Sequence, residues 1–329
     1  MSASPGGAYP ETSRERDRWI VSRRPARHRL DSGAAYGAFV EDELTETGEV
    51  VPVATILLTN RECPWRCVMC DLWRNTLEED NAPGAVPRQI EDALSRPPLR
   101  GVRRVKLYNA GSLFDPRAVP PEDDAAIAGL VAGFDRVIVE SHPALVGARC
   151  LAMQERLGGR LEVAMGLETV HPDVLPRLNK GMTLDDFDRA AARLLEAAIP
   201  VRAFLLAGLP WVPANEQRAW ALRAVVHAFD AGAAAVSVIL TRAGNGAMDA
   251  LRGAGEFETP SISLLEEVAA DGVALGRGRV FADLWDLPAF SRCAACLPAR
   301  TERLRQSNLT QAPPPAIRCM DCTDCEPPA

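Results

Sequence analysis

From residue 51 onward, short apolar runs alternate with Ala- and Leu-rich helical patterns, and this alternation most constrains the fold. Strands are expected at Val53–Thr59, Val102–Tyr108, Arg136–Glu140, Leu161–Leu167, Val201–Ala207 and Ala234–Leu240. Between them lie stretches such as "PRQIEDALSR", "TLDDFDRAAARLLEAA" and "NEQRAWALRAVVHAFDAG". Strands separated by helices on this spacing form a parallel sheet covered by helices, and several of the runs lack polar alternation, as strands buried on both faces do. The reading is an α/β chain whose six units build a partial (β/α)6 barrel open on one side. Periodicity alone also permits a doubly wound sheet, and the order of the chemical motifs favours the barrel.

Two flanking regions differ in character. Residues 1–50 are polar, with seven arginines from Arg14 to Arg29 around Trp19, and read as a solvated arm or a strap rather than an RNA contact. Residues 51–260 hold the barrel. Residues 261–329 contain one more helical pattern, the segment "VFADLWDLPAF", a breaker "APPP" and a cysteine-rich tail, and read as an appended module. The net charge of −7 and a pI near 5.3 argue against a whole-surface nucleic-acid binder. No apolar run reaches the ~18 residues a membrane span needs. Arg23-Arg24 lacks the apolar segment of a twin-arginine signal, so a cytoplasmic location is expected. In that reducing setting, nine cysteines, an odd number, read as metal ligands or catalytic thiols rather than disulfides.

Three of the nine, Cys63, Cys67 and Cys70, form a C-x3-C-x2-C run just after the first expected barrel strand. Structural zinc takes four protein ligands, and no histidine lies nearby to complete that set. Three thiolates on a 4Fe-4S cluster leave one iron free for an outside ligand. Pro64 favours an extended entry into the loop. The run resembles the signature of the radical S-adenosylmethionine (SAM) superfamily over about residues 50–245. It looks nearest to the branch holding the elongator catalytic subunit, the tRNA methylthiotransferases and the archaeosine-forming radical lyase. Met69 stands where many members carry an aromatic residue. The resemblance implies that SAM binds the free iron and is cleaved reductively to a 5′-deoxyadenosyl radical, which takes hydrogen from an organic substrate. It also implies an electron donor such as flavodoxin or ferredoxin.

Further site residues follow from the same resemblance. Asn109, Ala110, Gly111 and Ser112, after the second strand, match the loop that meets the SAM amino group, without its usual paired glycines and glutamate. Glu140, at the third strand's end, is a SAM or substrate contact, and His142 beside it a proton carrier or a structural hydrogen-bonder. Glu168 matches the residue that meets the SAM ribose or amino group, Lys180 a partner for its carboxylate, and Leu206 with Ala207 an apolar wall for adenine. Arg242, Gly244 and Asn245 fall where substrate or adenine contacts occur. Thr183 with Asp186 reads as a helix-capping pair.

The tail adds Cys293-x2-Cys296 and Cys319-x2-Cys322-x2-Cys325. These five thiolates suit either a zinc site or a second 4Fe-4S cluster. Cys150 stands alone as a small buried residue. The function expected is hydrogen abstraction from an unidentified organic substrate, a small molecule or an RNA. The alternatives are tRNA modification and an iron–sulfur electron carrier without SAM chemistry.

Overall fold

A computed structural model describes residues 8–99 and 101–322. In chain order it contains α1 (Ser13–Val21), β1 (Gly37–Leu44), β2 (Val50–Leu57), α2 (Ala85–Ser95), β3 (Arg104–Tyr108), α3 (Asp124–Leu130), β4 (Arg136–Ser141) and α4 (Ala148–Arg156). Then follow β5 (Leu161–Glu168), α5 (Val174–Arg177), α6 (Leu184–Glu196), β6 (Val201–Ala207), α7 (Gln217–Asp230), β7 (Ala235–Leu240) and α8 (Ala247–Gly253). The chain continues through α9 (Ile262–Ala274), β8 (Arg279–Ala282) and α10 (Leu297–Thr310). All six expected strands are present as β2 to β7. They belong to one sheet in the order β1 to β8, parallel throughout except that β1 runs antiparallel to β2. The partial barrel is therefore larger than six units. It gains an edge strand from the region read as an arm and a seventh parallel strand from the region read as a module.

One set of alternate strand residues faces the helices. Ile56, Leu107, Val139, Val163, Leu205 and Val238 join the main apolar core with Ile90 of α2, Phe187 of α6 and Val225 of α7. The opposite set faces the barrel interior, and at the amino-terminal end of the strands it is charged. Arg202 reaches Glu43 at 2.6 and 2.9 Å and Glu162 at 3.0 Å. Lys106 reaches Glu43 at 2.6 Å and Glu41 at 2.7 Å, and Thr55 donates to Glu41 at 2.9 Å. Lys106 pulls the Glu43 carboxyl, together with Arg202, far below its ordinary range against the burial that opposes it. Arg279 of β8 donates to the Leu44 carbonyl of β1 at 3.1 Å, so the sheet curls until its two edges are bridged.

Helix α10 packs against both edge strands. Its Asn308 side chain accepts from the Ala282 N–H at 2.8 Å and donates to the Ala282 carbonyl at 2.9 Å. Gln311, just past its end, does the same with Val280 at 2.6 and 3.0 Å. Two side-chain amides thus satisfy the backbone groups that an open edge leaves bare. At the other end of the chain, Tyr9 and Ile20 are buried in a second apolar cluster at the barrel mouth, with Leu206, Leu209 and Met248. Tyr9 donates to the Arg177 carbonyl at 2.7 Å. The described part of the amino-terminal segment, called the strap below, packs on the barrel mouth through these residues. No helix among the described residues is long and apolar enough to cross a membrane.

Arg202→Ala leaves Glu43 and Glu162 facing one another with one shared cation removed. A stability loss of about 3–5 kcal/mol is expected by urea unfolding. A loss below about 1 kcal/mol would show that the network does not hold the barrel.

Candidate metal and cofactor site

Strand β2 ends at the mouth, where Gln89 of α2 bonds both the N–H and the carbonyl of Thr59, at 2.8 Å each. Asn81 accepts from the Arg61 N–H at 2.9 Å. The chain then enters the Cys63–Cys70 loop, which lies outside every helix and strand. Its backbone groups find partners elsewhere. The Val68 N–H donates to the Leu178 carbonyl at 3.0 Å, and Asn179 donates to the Arg66 carbonyl at 2.9 Å. Asn245 donates to the carbonyls of Val68 at 2.8 Å and Cys70 at 3.0 Å. Glu62, at the loop's entrance, takes Arg24 and Arg27 of the strap at 2.7 Å each and Arg66 at 3.1 Å. Trp65 stacks on His142 with ring centres 3.5 Å apart. Gly181 permits this: its φ is +71°, and a Cβ there would lie 2.7 Å from the Trp65 ring.

Burial pushes the Cys63 thiol up to about 11 and Cys70 up to about 12, and Cys67 upward as well. Three sequestered thiols at one loop suit a positively charged metal centre, which stabilises their thiolate forms.

The loop after β3 packs directly on the cysteines: a Cβ on Gly111 would sit 3.3 Å from the Cys63 Cβ. Asn109 is fully buried, yet both atoms of its side-chain amide lack a partner among the described residues. The Thr59 hydroxyl and the Asn60 side-chain oxygen, at the end of the neighbouring strand, are buried and unpartnered as well. Buried polar atoms without partners are costly, and these four, on three residues near the cysteine loop, fit a polar ligand such as the amino acid part of SAM. Ser112 shares a hydroxyl contact with Ser141 at 3.1 Å, and Ala110 takes a positive φ of 51° to make the turn. Glu140 accepts from the Asn109 N–H at 2.8 Å.

Glu168 and Lys180, matched separately to SAM, pair with each other here, both nearly buried. Two backbone features allow it. The β5–β6 register shifts between Gly166 and Glu168, and Glu168 has a φ of 66°, which re-aims its side chain. A Cβ on Gly166 would fall 2.0 Å from the Lys180 Nζ. Leu206 lies in the mouth cluster with Val68 and Leu178, against the cysteine loop. His142 resolves to the structural of its two readings. Its Nε2 donates to the Lys180 carbonyl at 3.1 Å and its Nδ1 accepts from Ala144, while burial lowers its pKa to about 3.

The three residues placed where substrate or adenine contacts occur have partners within the protein. Arg242 pairs with Asp283 at 2.9 Å, the Gly244 carbonyl accepts from Arg74, and Asn245 donates to the cysteine loop backbone. All three follow the end of β7. The capping pair Thr183–Asp186 is present at the start of α6. Cys150 is fully buried in the main core on α4. Sequence reading missed Asn179, Trp65 and Gln89. A polar residue in the turn just after the short helix α5 was the available signal for Asn179 alone.

In the tail, Cys293, Cys296, Cys319 and Cys322 converge, with all four sulfurs within 4.8 Å of one another. Cys325 lies outside the described residues.

No family model matches the chain. It is 29% identical over 147 residues to archaeosine synthase subunit beta of Thermococcus kodakarensis, covering 43% of this chain and 45% of that one. The same subunit of Methanosarcina acetivorans is 28% identical over 165 residues, covering 46% and 47%. These matches are to the archaeosine-forming enzymes named in the resemblance above. The chain spans about half the length of the curated relatives it matches. Among solved structures, Streptococcus suis SuiB bound to S-adenosylmethionine aligns over 68% of this chain and 48% of its own, with 13% identity and a TM-score of 0.49.

Asn245→Ala removes both side-chain bonds onto the loop. Iron retained after anaerobic reconstitution is expected to fall several-fold while circular dichroism is unchanged; full iron loading would refute the clamp. Burial also pushes the Glu140 carboxyl up to about 7 from 4.5. Below pH 4.5 both folded and unfolded chains hold it protonated, and between 4.5 and 7 only the unfolded chain ionises, so stability falls as pH rises through that window. Glu140→Gln is expected to flatten this part of a stability–pH profile, and an unchanged slope would assign it to another group.

Proposed function

We propose that the chain is a radical SAM enzyme that takes a hydrogen atom from an organic substrate held in the barrel mouth. Cys63, Cys67 and Cys70 would hold a 4Fe-4S cluster. Asn109, Ala110, Gly111, Ser112, Glu140, Glu168, Lys180 and Leu206 would surround the SAM molecule. When bound, the cluster and SAM supply reductive cleavage of the sulfonium to methionine and a 5′-deoxyadenosyl radical. The observation that carries the reading is the fully buried Asn109, its amide unpartnered, on a loop whose Gly111 abuts Cys63.

The chain's own residues supply orientation and dryness. Asn109 offers a donor and an acceptor to the amino acid part of SAM. Lys180, already close to Glu168, can share its charge with the SAM carboxylate, and Glu168 then becomes available to the ribose or amino group. Leu206, Val68 and Leu178 give adenine an apolar wall. Below the mouth, Tyr108 and Phe204 meet edge to face at 6.0 Å, and beneath them the charged network plugs the lumen. A closed floor keeps water from a reactive intermediate. An electron donor of the flavodoxin or ferredoxin type is required from outside the chain.

A second reading, modification of an RNA base, is supported by the matches to archaeosine synthase subunit beta, whose name also raises a partner subunit. The arginine-rich segment adds little to it. Arg24 and Arg27 are spent on Glu62, Arg16 on the Pro10 and Pro176 carbonyls, and Arg23 on the face of Trp19.

Anaerobic incubation of the full chain with SAM and dithionite is expected to release 5′-deoxyadenosine, and the Cys63/Cys67/Cys70→Ala variant to release none. Absence of that product from iron-loaded protein would overturn the enzyme reading in favour of an electron carrier. A salt-sensitive gel shift with tRNA would favour the RNA reading over a small molecule.

A further inference from the structure

The four converging cysteines carry a choice that their sequence spacing leaves open. Cys293 and Cys319 have their sulfurs 3.9 Å apart, Cys296 and Cys322 3.8 Å, and none is in a disulfide. A single tetrahedral ion with metal–sulfur bonds of about 2.3 Å places its four sulfurs about 3.8 Å apart along each edge. A cubane binds each cysteine to a different iron and spreads the four sulfurs to about 6 Å or more. A two-iron cluster brings them close only in pairs. All four sulfurs here lie within 4.8 Å, the dimension of one ion.

The surroundings fit the same occupant. The Asp321 N–H donates to the Cys319 sulfur at 3.4 Å, as backbone amides do when they spread thiolate charge. Two separate segments are joined: Cys296 caps the start of α10, while Cys319 and Cys322 return after the proline stretch, which Arg303 holds through the Pro314 and Pro315 carbonyls at 2.8 and 3.0 Å.

We infer that Cys293, Cys296, Cys319 and Cys322 hold one zinc ion, not a second iron–sulfur cluster, and that this ion fastens α10 over the seam of the barrel. Zinc suits the role because it offers no redox chemistry and a closed four-thiolate shell. It ties both ends of α10 into one unit, and α10 carries the Asn308 and Gln311 amides that cover the β8 edge. The inference stands on the tail alone and does not depend on the reading of the first cysteine loop.

Metal and sulfide analysis of the full chain, purified without oxygen, tests it. About one zinc per chain is expected in the wild type, and about one again in the Cys63/Cys67/Cys70→Ala variant. About four irons with sulfide persisting in that variant, a single iron in place of zinc, or no zinc in either protein would overturn it. A wild type with zinc but no iron would sink the radical SAM reading and leave this one standing. Cys319→Ser is expected to lose zinc and to speed amide exchange at Val280 and Ala282 about tenfold or more, while Cys325→Ser keeps both the metal and the protection. Loss of zinc from Cys325→Ser would overturn the ligand set, and unchanged exchange in zinc-free Cys319→Ser would overturn the fastening.

Discussion

An eight-residue loop without secondary structure must have its backbone polar groups satisfied by something else, and that requirement organises the mouth of this barrel. The partners come from the exits of β5 and β7. Leu178 and Asn179 hold one half of the cysteine loop, and Asn245 holds the other. The strap adds Arg24 and Arg27 on Glu62. A parallel sheet makes this possible, because all of its strand ends open on the same side. Segments more than a hundred residues apart in sequence therefore converge on one loop.

Fixing the loop in this way fixes the polar side chains around it. Trp65, pinned by Gly181 and His142, brings the β4 and β5 exits together, and the bare Gly166 leaves room for Lys180 to approach Glu168. Two glycines distant from the cysteines in sequence thereby set the geometry of charged groups at the mouth. The interior floor obeys a different rule. Arg202 and Lys106 are almost wholly buried, and such charges persist only with partners; the edge strand β1 supplies Glu41 and Glu43. The first strand is thus a charge partner as much as a structural border.

The six central strands were legible because each is a run of branched and apolar residues bounded by polar turns. β1 was not, since "GAFVEDEL" carries three acidic residues and looks like solvated chain until Arg202 and Lys106 are seen across the lumen. β8 is only four residues long and is completed by side-chain amides from α10 rather than by another strand. The charged positions within strands, Lys106, Glu162 and Arg202, were the signal of a polar interior, and treating the strands as uniformly apolar concealed it. The clustering of four tail cysteines that their spacing suggested is present in the fold. The roles of Asn179 and Asn245 were not legible, because an asparagine in a turn has the same local pattern whether it contacts a ligand or a carbonyl.

Local sequence by itself determined the strand and helix succession, the three-thiol loop after β2, and the clustering of thiols in the tail. Each of these rests on interactions among residues close along the chain: periodic burial, turn chemistry and ligand spacing. Tertiary structure alone decided which acids meet which bases in the lumen, which carbonyls Asn245 serves, and how far apart the four tail sulfurs stand. Those are distances between segments brought together by the curl of the sheet, and no spacing along a chain encodes a distance across one.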